Sequence, residues 1–368
     1  MIKEFKVKGF KGFKDYLELD LSSGNFEFND EAIKDGVVKT SVIYGENGSG
    51  KSNLGLAIMD VATHLTDADF DEKEYTPYIN LDSDLDYAEF EYVFKFGQDN
   101  VRYKYRKHDF KEVSDEYLCI NDQPMIISNE SLKQVNLKGA ENLNIDSLRD
   151  DISFVKLVNA NANFVETDKI ASVFKKFMLF INKMLSFDSV LGHHYQGYTI
   201  GISSITQEII NRDKVKEYES FLKEMGIKYN LFLKEIDGKK QIYVRFSSGN
   251  ETNIHNIWSK GTNALTLFYN WYIQFEEGVK FVFIDEFDAY FHHTVSVNII
   301  KKLVASKKIQ AVITTHNTVN ISNELLRPDC YFNLEEDKID SFASIRGREI
   351  RKAQNMEKMF RAGAFDFE

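Results

Sequence analysis

The sequence predicts an α/β fold: a mixed, largely parallel sheet flanked by helices, preceded by an antiparallel β meander and carrying an inserted helical and hairpin subdomain. Three observations carry this reading. The last third alternates helical and strand-like apolar segments, "NALTLFYNWYIQF", "VKFVFI", "TVSVNIIKKLVA", "IQAVIT" and "CYFNL", the order that a parallel sheet with crossover helices produces. Early runs such as "YAEFEYVFKFG" and "VRYKYRKH" show period-2 aromatics, the pattern of an antiparallel meander. Between the opening strands and those runs, "VVKTSVIYGENGSGKSNL" reads as a strand, a glycine-rich turn and a helix.

Taken in order, "EFKVKGF" and "YLELDL" form an opening hairpin, followed by a polar stretch and the strand "VVKTSVIYG". Leu54, Leu56, Ile58 and Val61 give the next helix, Lys51 to His64, its apolar positions. The carboxylate-rich "TDADFDEKEYTPYINLDSDLD" reads as a solvated loop or short lid. The two aromatic strands follow, with "QDN" as their turn. Apolar residues from Ile170 to Leu185 recur at helical spacing, so a helix is expected over 168–185. A second helix runs from Asp213 to Met225 and stops at Gly226, between a strand-like "YTIGISSI" and a hairpin turning at Asp237-Gly238. The expected division is 1–150 as an N-terminal lobe, 151–245 as the insertion, 246–345 as a C-terminal lobe and 346–368 as a basic tail.

A chain of 368 residues, 43% hydrophobic and 28% charged, can bury a full core. Its net charge of -11 argues against broad adhesion to nucleic acid or anionic membrane, so any nucleic-acid contact must be focused or made through a partner. Cys119 and Cys330 are the only cysteines and stand in no metal-ligand spacing, a usage that fits a reducing cytosol. The N-terminus lacks the apolar core of a signal peptide, and no run of about 18 apolar residues suggests a membrane span. A cytoplasmic location is expected.

"GENGSGKS" fits G-x-x-x-x-G-K-[ST] in the required strand-to-helix setting. Backbone N–H groups over Gly45, Glu46, Asn47, Gly48, Ser49 and Gly50 would face phosphates, with Lys51 reaching the terminal ones and Ser52 holding Mg2+. Asn53 continues the turn into the helix. "FVFIDEFD" is an apolar strand that delivers Asp285 and Glu286 to the carboxyl edge of the sheet, where open α/β sheets bind ligands. Asp285 is the candidate for the Mg2+ shell and Glu286 for the general base. "IQAVITTHN" delivers His316 to the same edge, where an imidazole can sense a phosphate. "WSKGTNAL" is a second turn opening a helix, with Ser259, Gly261 and Thr262 as its candidate phosphate ligands.

The order of these segments resembles the ATP-binding-cassette ATPases. Within them "FKVKGFKGFKDYLELDL", "GENGSGKSNL", "SKGT", "DEFDAYFHH", "TTHN" and the tail "REIRKAQNMEKMFRAGAFD" resemble the RecF/SMC-like branch, in particular stand-alone AAA-type ATPases related to the OLD-family ATPase domain. The resemblance implies a P-loop NTPase with an ABC-type head, using ATP and Mg2+. It also implies a homodimer or higher even oligomer in which Ser259, Gly261 and Thr262 bind the ATP of the other subunit. The glutamine that positions metal and water in such heads has no clear counterpart, Gln98 and Gln123 being the candidates. SKGT in place of Leu-Ser-Gly-Gly-Gln counts against a transporter subunit. His292 lines the site or packs behind it. Arg346, Arg348, Arg351, Lys352 and Arg361 form a solvated tail face or a contact for nucleic acid or a partner.

Two functions follow. One is an ATP-hydrolysing switch that governs a separate effector, a nuclease or toxin, in bacterial anti-phage defence. The other is a DNA-binding repair ATPase of the RecF or SMC sort, weakened by the acidic charge and the lack of heptad arms. A self-contained nuclease of the OLD kind is disfavoured because the sequence carries no appended metal-binding domain.

Overall fold

The structure, a computed structural model, describes residues 1–141, 143, 152–165, 167–188, 194–198, 205–275, 278–344 and 350–367. Two sheets of seven strands make the body. The meander is antiparallel throughout and runs, in spatial order, 133–135, 123–128, 113–120, 99–107, 88–96, 2–8 and 17–20. The core sheet runs 194–197, 184–188, 281–285, 310–315, 40–44, 331–335 and 338–341. Its inner strands pair in parallel and its two edge strands pair antiparallel. A three-stranded sheet, 231–236, 239–245 and 251–253, lies apart from both.

The helix Lys51–Leu65 is sandwiched between the two sheets. On one side Tyr92 donates to the Ala57 carbonyl at 2.8 Å. On the other, Gly55 lies so close to the Phe283 ring that an added Cβ would stand 2.7 Å from its Cδ1. This explains a glycine inside a helix, where it ordinarily weakens the element. Buried Gln310 ties the sheets together, accepting from Ile2 N at 2.7 Å and donating to the Ile2 and Val38 carbonyls at 2.7 and 3.0 Å.

The structure corrects several expectations. The helix expected over 168–185 is Lys169–Ile181, ending at Asn182, and Met184–Asp188 is a strand beside 281–285. Periodicity misled here because Met184 and Leu185 are apolar on both counts: they continue the helical stripe and also fill the core sheet. Two strands from the 151–245 stretch, 184–188 and 194–197, lie in the core sheet. The carboxylate-rich loop is anchored rather than wholly solvated, because Tyr75 and Tyr78 are buried against Phe10. The turn between the aromatic strands is Gly97-Gln98, the second strand starting at Asp99. The tail helix Met356–Arg361 docks on the body, with Met356 buried and Arg361 Nε donating to Thr318 Oγ1 at 3.2 Å. Most of "YTIGISSI", together with Arg346 and Arg348, lies outside the described residues. Among those described, no helix is long and apolar enough to cross a membrane.

The interface between the Lys51–Leu65 helix and the meander holds a buried ion pair. Lys107 Nζ lies 3.3 Å from Asp60 Oδ2 with neither side chain exposed, and Tyr78 and Tyr105 donate to the same carboxylate at 2.7 and 2.8 Å. Replacing Lys107 with Met leaves that carboxylate without its cation. We expect a loss of about 3–5 kcal/mol in urea unfolding, most of it recovered when Asp60→Asn is added.

Candidate functional site

The parallel register sets the site. Pairing of 40–44 with 310–315, and of 310–315 with 281–285, brings the strand ends Tyr44, Thr315 and Asp285 to one edge of the sheet. The three central strands are buried throughout, so their polar groups reach a ligand only where a strand ends.

Past Tyr44 the chain wraps a turn. Gly48 and Gly50 have φ of 85° and 98°, a left-handed backbone that side chains resist. At Gly45 an added Cβ would meet Ser49 Oγ and approach the Leu334 carbonyl to 2.7 Å. Lys51 is buried, and its ammonium donates to the Gly45 and Glu46 carbonyls at 2.9 and 3.0 Å. Ser52 Oγ donates to Asp285 Oδ2 at 2.5 Å. Thr314 Oγ1 donates to the other oxygen of Asp285 at 2.5 Å and accepts from Glu286 N at 2.9 Å. Burial pushes the Asp285 carboxyl up; the two hydroxyls oppose this, and the charges of Asp188 and Glu286 add to it.

Glu286 itself has a φ of 45°, a left-handed conformation that is uncommon for a long side chain and concentrates at functional sites. Its carboxylate lies between Lys51 Nζ at 3.6 Å and His316 Nδ1 at 2.8 Å. Behind it, buried Asp288 accepts from Thr315 Oγ1 at 2.6 Å and Asn320 Nδ2 at 3.1 Å, joining this loop to the segment after His316. Asn53, in the first turn of the helix, lies beside Gly12, whose added Cβ would lie 3.0 Å from its Nδ2.

The second turn is placed apart. Ser259 is exposed and caps the helix Lys260–Tyr272, accepting from Thr262 N at 3.0 Å. Gly261 abuts the Tyr290 carbonyl, 3.1 Å from where a Cβ would stand. The Thr262 side chain is buried against Ser259 Oγ, so an approaching ligand meets Ser259 and the backbone rather than the Thr262 hydroxyl. Among the described residues no hydrogen bond or ion pair joins these three to the Gly45–Asn53 turn.

Three residues escaped sequence reasoning. Thr314 sits in "TTHN", where the histidine drew attention. Asp288 is the fourth residue of "DEFD". Asp188 closes "MLSFD", a strand of the same form as "FVFID", and its register partner is Asp285. Neither Gln98 nor Gln123 is at this edge: Gln98 is in a hairpin turn and Gln123 is exposed on the meander. Asp188 does stand at this edge, beside Asp285. His292 caps the helix His293–Ala305.

The donor set fits a magnesium nucleotide. Ser49 Oγ is buried without a partner, a group that calls for an acceptor such as a phosphate oxygen. Lys51 supplies a buried cation beside it, and Ser52 with Asp285 offers two oxygens already drawn together for a hard cation.

A glycine-rich turn leading into a buried lysine and a serine, facing an acidic strand end across a parallel sheet, defines a P-loop NTPase. The chain belongs to the family described as "AAA domain, putative AbiEii toxin, Type IV TA system", whose model matches residues 41–322. No curated protein matches it. Among solved structures it is similar to an SMC head bound to the C-winged helix domain of ScpA (16% identity, 92% of this chain and 96% of that one, TM-score 0.48). It is also similar to the SMC head domain from Thermotoga maritima (15%, 92% and 97%, TM-score 0.46).

The near-isosteric change Thr314→Val removes both hydrogen bonds that set Asp285 and Glu286. Mg2+-dependent affinity for a fluorescent ATP analogue should fall roughly 10–100-fold, while Mg2+-free binding stays near native. An unaltered Mg2+ dependence would show that the hydroxyl plays no positioning part.

Proposed function

We propose that this protein is an ATP-binding and ATP-hydrolysing switch in which two copies close around two Mg2+-ATP molecules. The change of shape then controls a separate effector, a nuclease or toxin, in a bacterial defence system. The observation that carries the reading is Glu286, held in a left-handed backbone between the Lys51 ammonium and the His316 imidazole.

In this reading Lys51 and the turn N–H groups bind the phosphates, and Ser52 and Asp285 hold the metal. ATP supplies the bond that is broken. Glu286 accepts a proton from the attacking water, and His316, more than half exposed, orients that carboxylate and registers the terminal phosphate. Ser259 and the Gly261 N–H face the nucleotide of the second copy. Support comes from the exposure of Ser259 and, among the described residues, the lack of any hydrogen bond from it to the Gly45–Asn53 turn of its own copy, since a capped helix N-terminus suits an anion. A shape that exists only with nucleotide bound has the differential contacts that an effector can read.

Glu286→Gln should lower ATP turnover by roughly 10²–10⁴-fold and leave the protein eluting as an ATP-loaded dimer in gel filtration; turnover at the native rate would sink the assignment. The trans arrangement has its own test. Ser259→Ala and Lys51→Ala should each be inactive alone, and turnover should return in part when the two are mixed, because mixed pairs hold one intact composite site.

A further inference from the structure

The chain carries two surface features that match each other in charge and in apolar character, at opposite ends of the strand Ile2–Lys8. At the Met1 end is a groove of about 380 Å³ with an apolar floor from Phe96, Leu179 and Phe180. Leu179 is 49% exposed there. Lys34, Lys95, Lys176, Lys280 and Lys308 ring the groove, with Asp35 as its one acid. Lys34, Lys95 and Lys176 sit in no ion pair among the described residues. For a chain of net charge -11 this is a concentrated basic site.

At the other end, the carboxylate-rich loop projects a tip. Leu81 is 82% exposed, the highest value among the exposed large apolar side chains, and Asp82, Asp84 and Asp86 around it are exposed too. The tip is held rather than loose. Asn80 N donates to the Gly9 carbonyl at 2.9 Å, Asn80 Nδ2 donates to the Lys11 carbonyl at 2.6 Å, and Asn80 Oδ1 accepts from Asp82 N at 3.0 Å. A leucine held in water among carboxylates gains by entering an apolar floor ringed by ammonium groups, and its fixed geometry lowers the cost of ordering.

We propose that the Leu81 tip of one copy seats in the Leu179 groove of another. The two features cannot meet within one chain, because the strand between them spans roughly 20 Å. The contact is therefore head to tail, and repeated it builds rings or filaments. It is separate from the ATP sandwich and does not depend on that reading. Nucleic acid fits the groove less well: of the floor side chains only the aliphatic Leu179 is exposed, while Phe180 is buried and Phe96 is already stacked on Phe94, which leaves little free aromatic face for a base.

Sedimentation velocity without nucleotide tests the idea. Native protein should show a weight-average mass that rises with protein concentration and falls with added salt. Lys34→Glu with Lys176→Glu, and separately Asp82→Lys with Asp84→Lys, should each weaken association roughly tenfold or more, since like charges then face each other. All four positions are exposed, and circular dichroism checks that both variants fold. Mixing the two variants should restore assembly, because each reversed surface then meets its complement. A native protein that stays monomeric, either variant associating like native, or a mixture that fails to assemble overturns the proposal. So does a native protein that captures a short oligonucleotide through the groove lysines while failing to self-associate.

Discussion

The site depends on one constraint, the parallel register of the core sheet. Because side chains alternate across a strand, a slip of one residue would turn Asp285 or Thr314 to the opposite face. In register, Asp285 faces Ser52 and Thr314 together. The chain must then leave the sheet within one residue of Asp285 while Glu286 N still reaches Thr314. That double demand puts Glu286 in the left-handed region. Such a backbone costs about 1–3 kcal/mol, offset by the Thr314 hydrogen bond and by the contacts of the carboxylate with Lys51 and His316. The strain aims the side chain: it points the carboxylate at Lys51 and His316.

The Lys51–Leu65 helix extends that constraint to the whole body. Gly55 admits Phe283 of the acidic strand, and Asp60 is fixed by Lys107 and two tyrosines of the meander. The helix that begins at the phosphate turn thus cannot shift without disturbing both sheets. Gln310, which starts the histidine strand, holds the far end closed. The segment after His316, the turn at Ser259 and the tail lie outside this clamp.

Much of this was legible in the sequence because its signals were local. The turn Gly45–Ser52 and the acidic pair announce themselves by type and spacing, and Asp237-Gly238 marks its hairpin through two positive φ angles. What stayed hidden depends on pairing across the chain. Asp188 looks like the end of a helix until Met184 is seen beside Phe281. Thr314 gains its part only because Asp285 is its neighbour, and Asp288 only because Asn320 returns to it from beyond the histidine. The strands 113–120, 123–128 and 133–135 were missed for a related reason: they continue a meander whose residues alternate weakly. The tail looked solvated because its charges are visible in sequence and its docking surface is not.

That tail links the edge of the site to the outside. Phe360 packs on Tyr44, the residue that feeds the phosphate turn, with ring centroids 5.5 Å apart. Arg361 reaches Thr318, two residues after His316, and Asn323 donates to the Arg351 and Gln354 carbonyls at 3.2 Å each. The tail thus touches the strand that leads into the phosphate turn and the segment that follows His316. Any rearrangement of the segment after His316 must either carry the tail with it or break these contacts, because Asn320 and Thr318 lie in the same short turn. Asn320 answers to Asp288 inside the site, and Thr318 answers to Arg361 on the surface. The loop that carries Glu286 is therefore joined to the exterior by a short series of contacts, through Asp288, this turn and the tail helix.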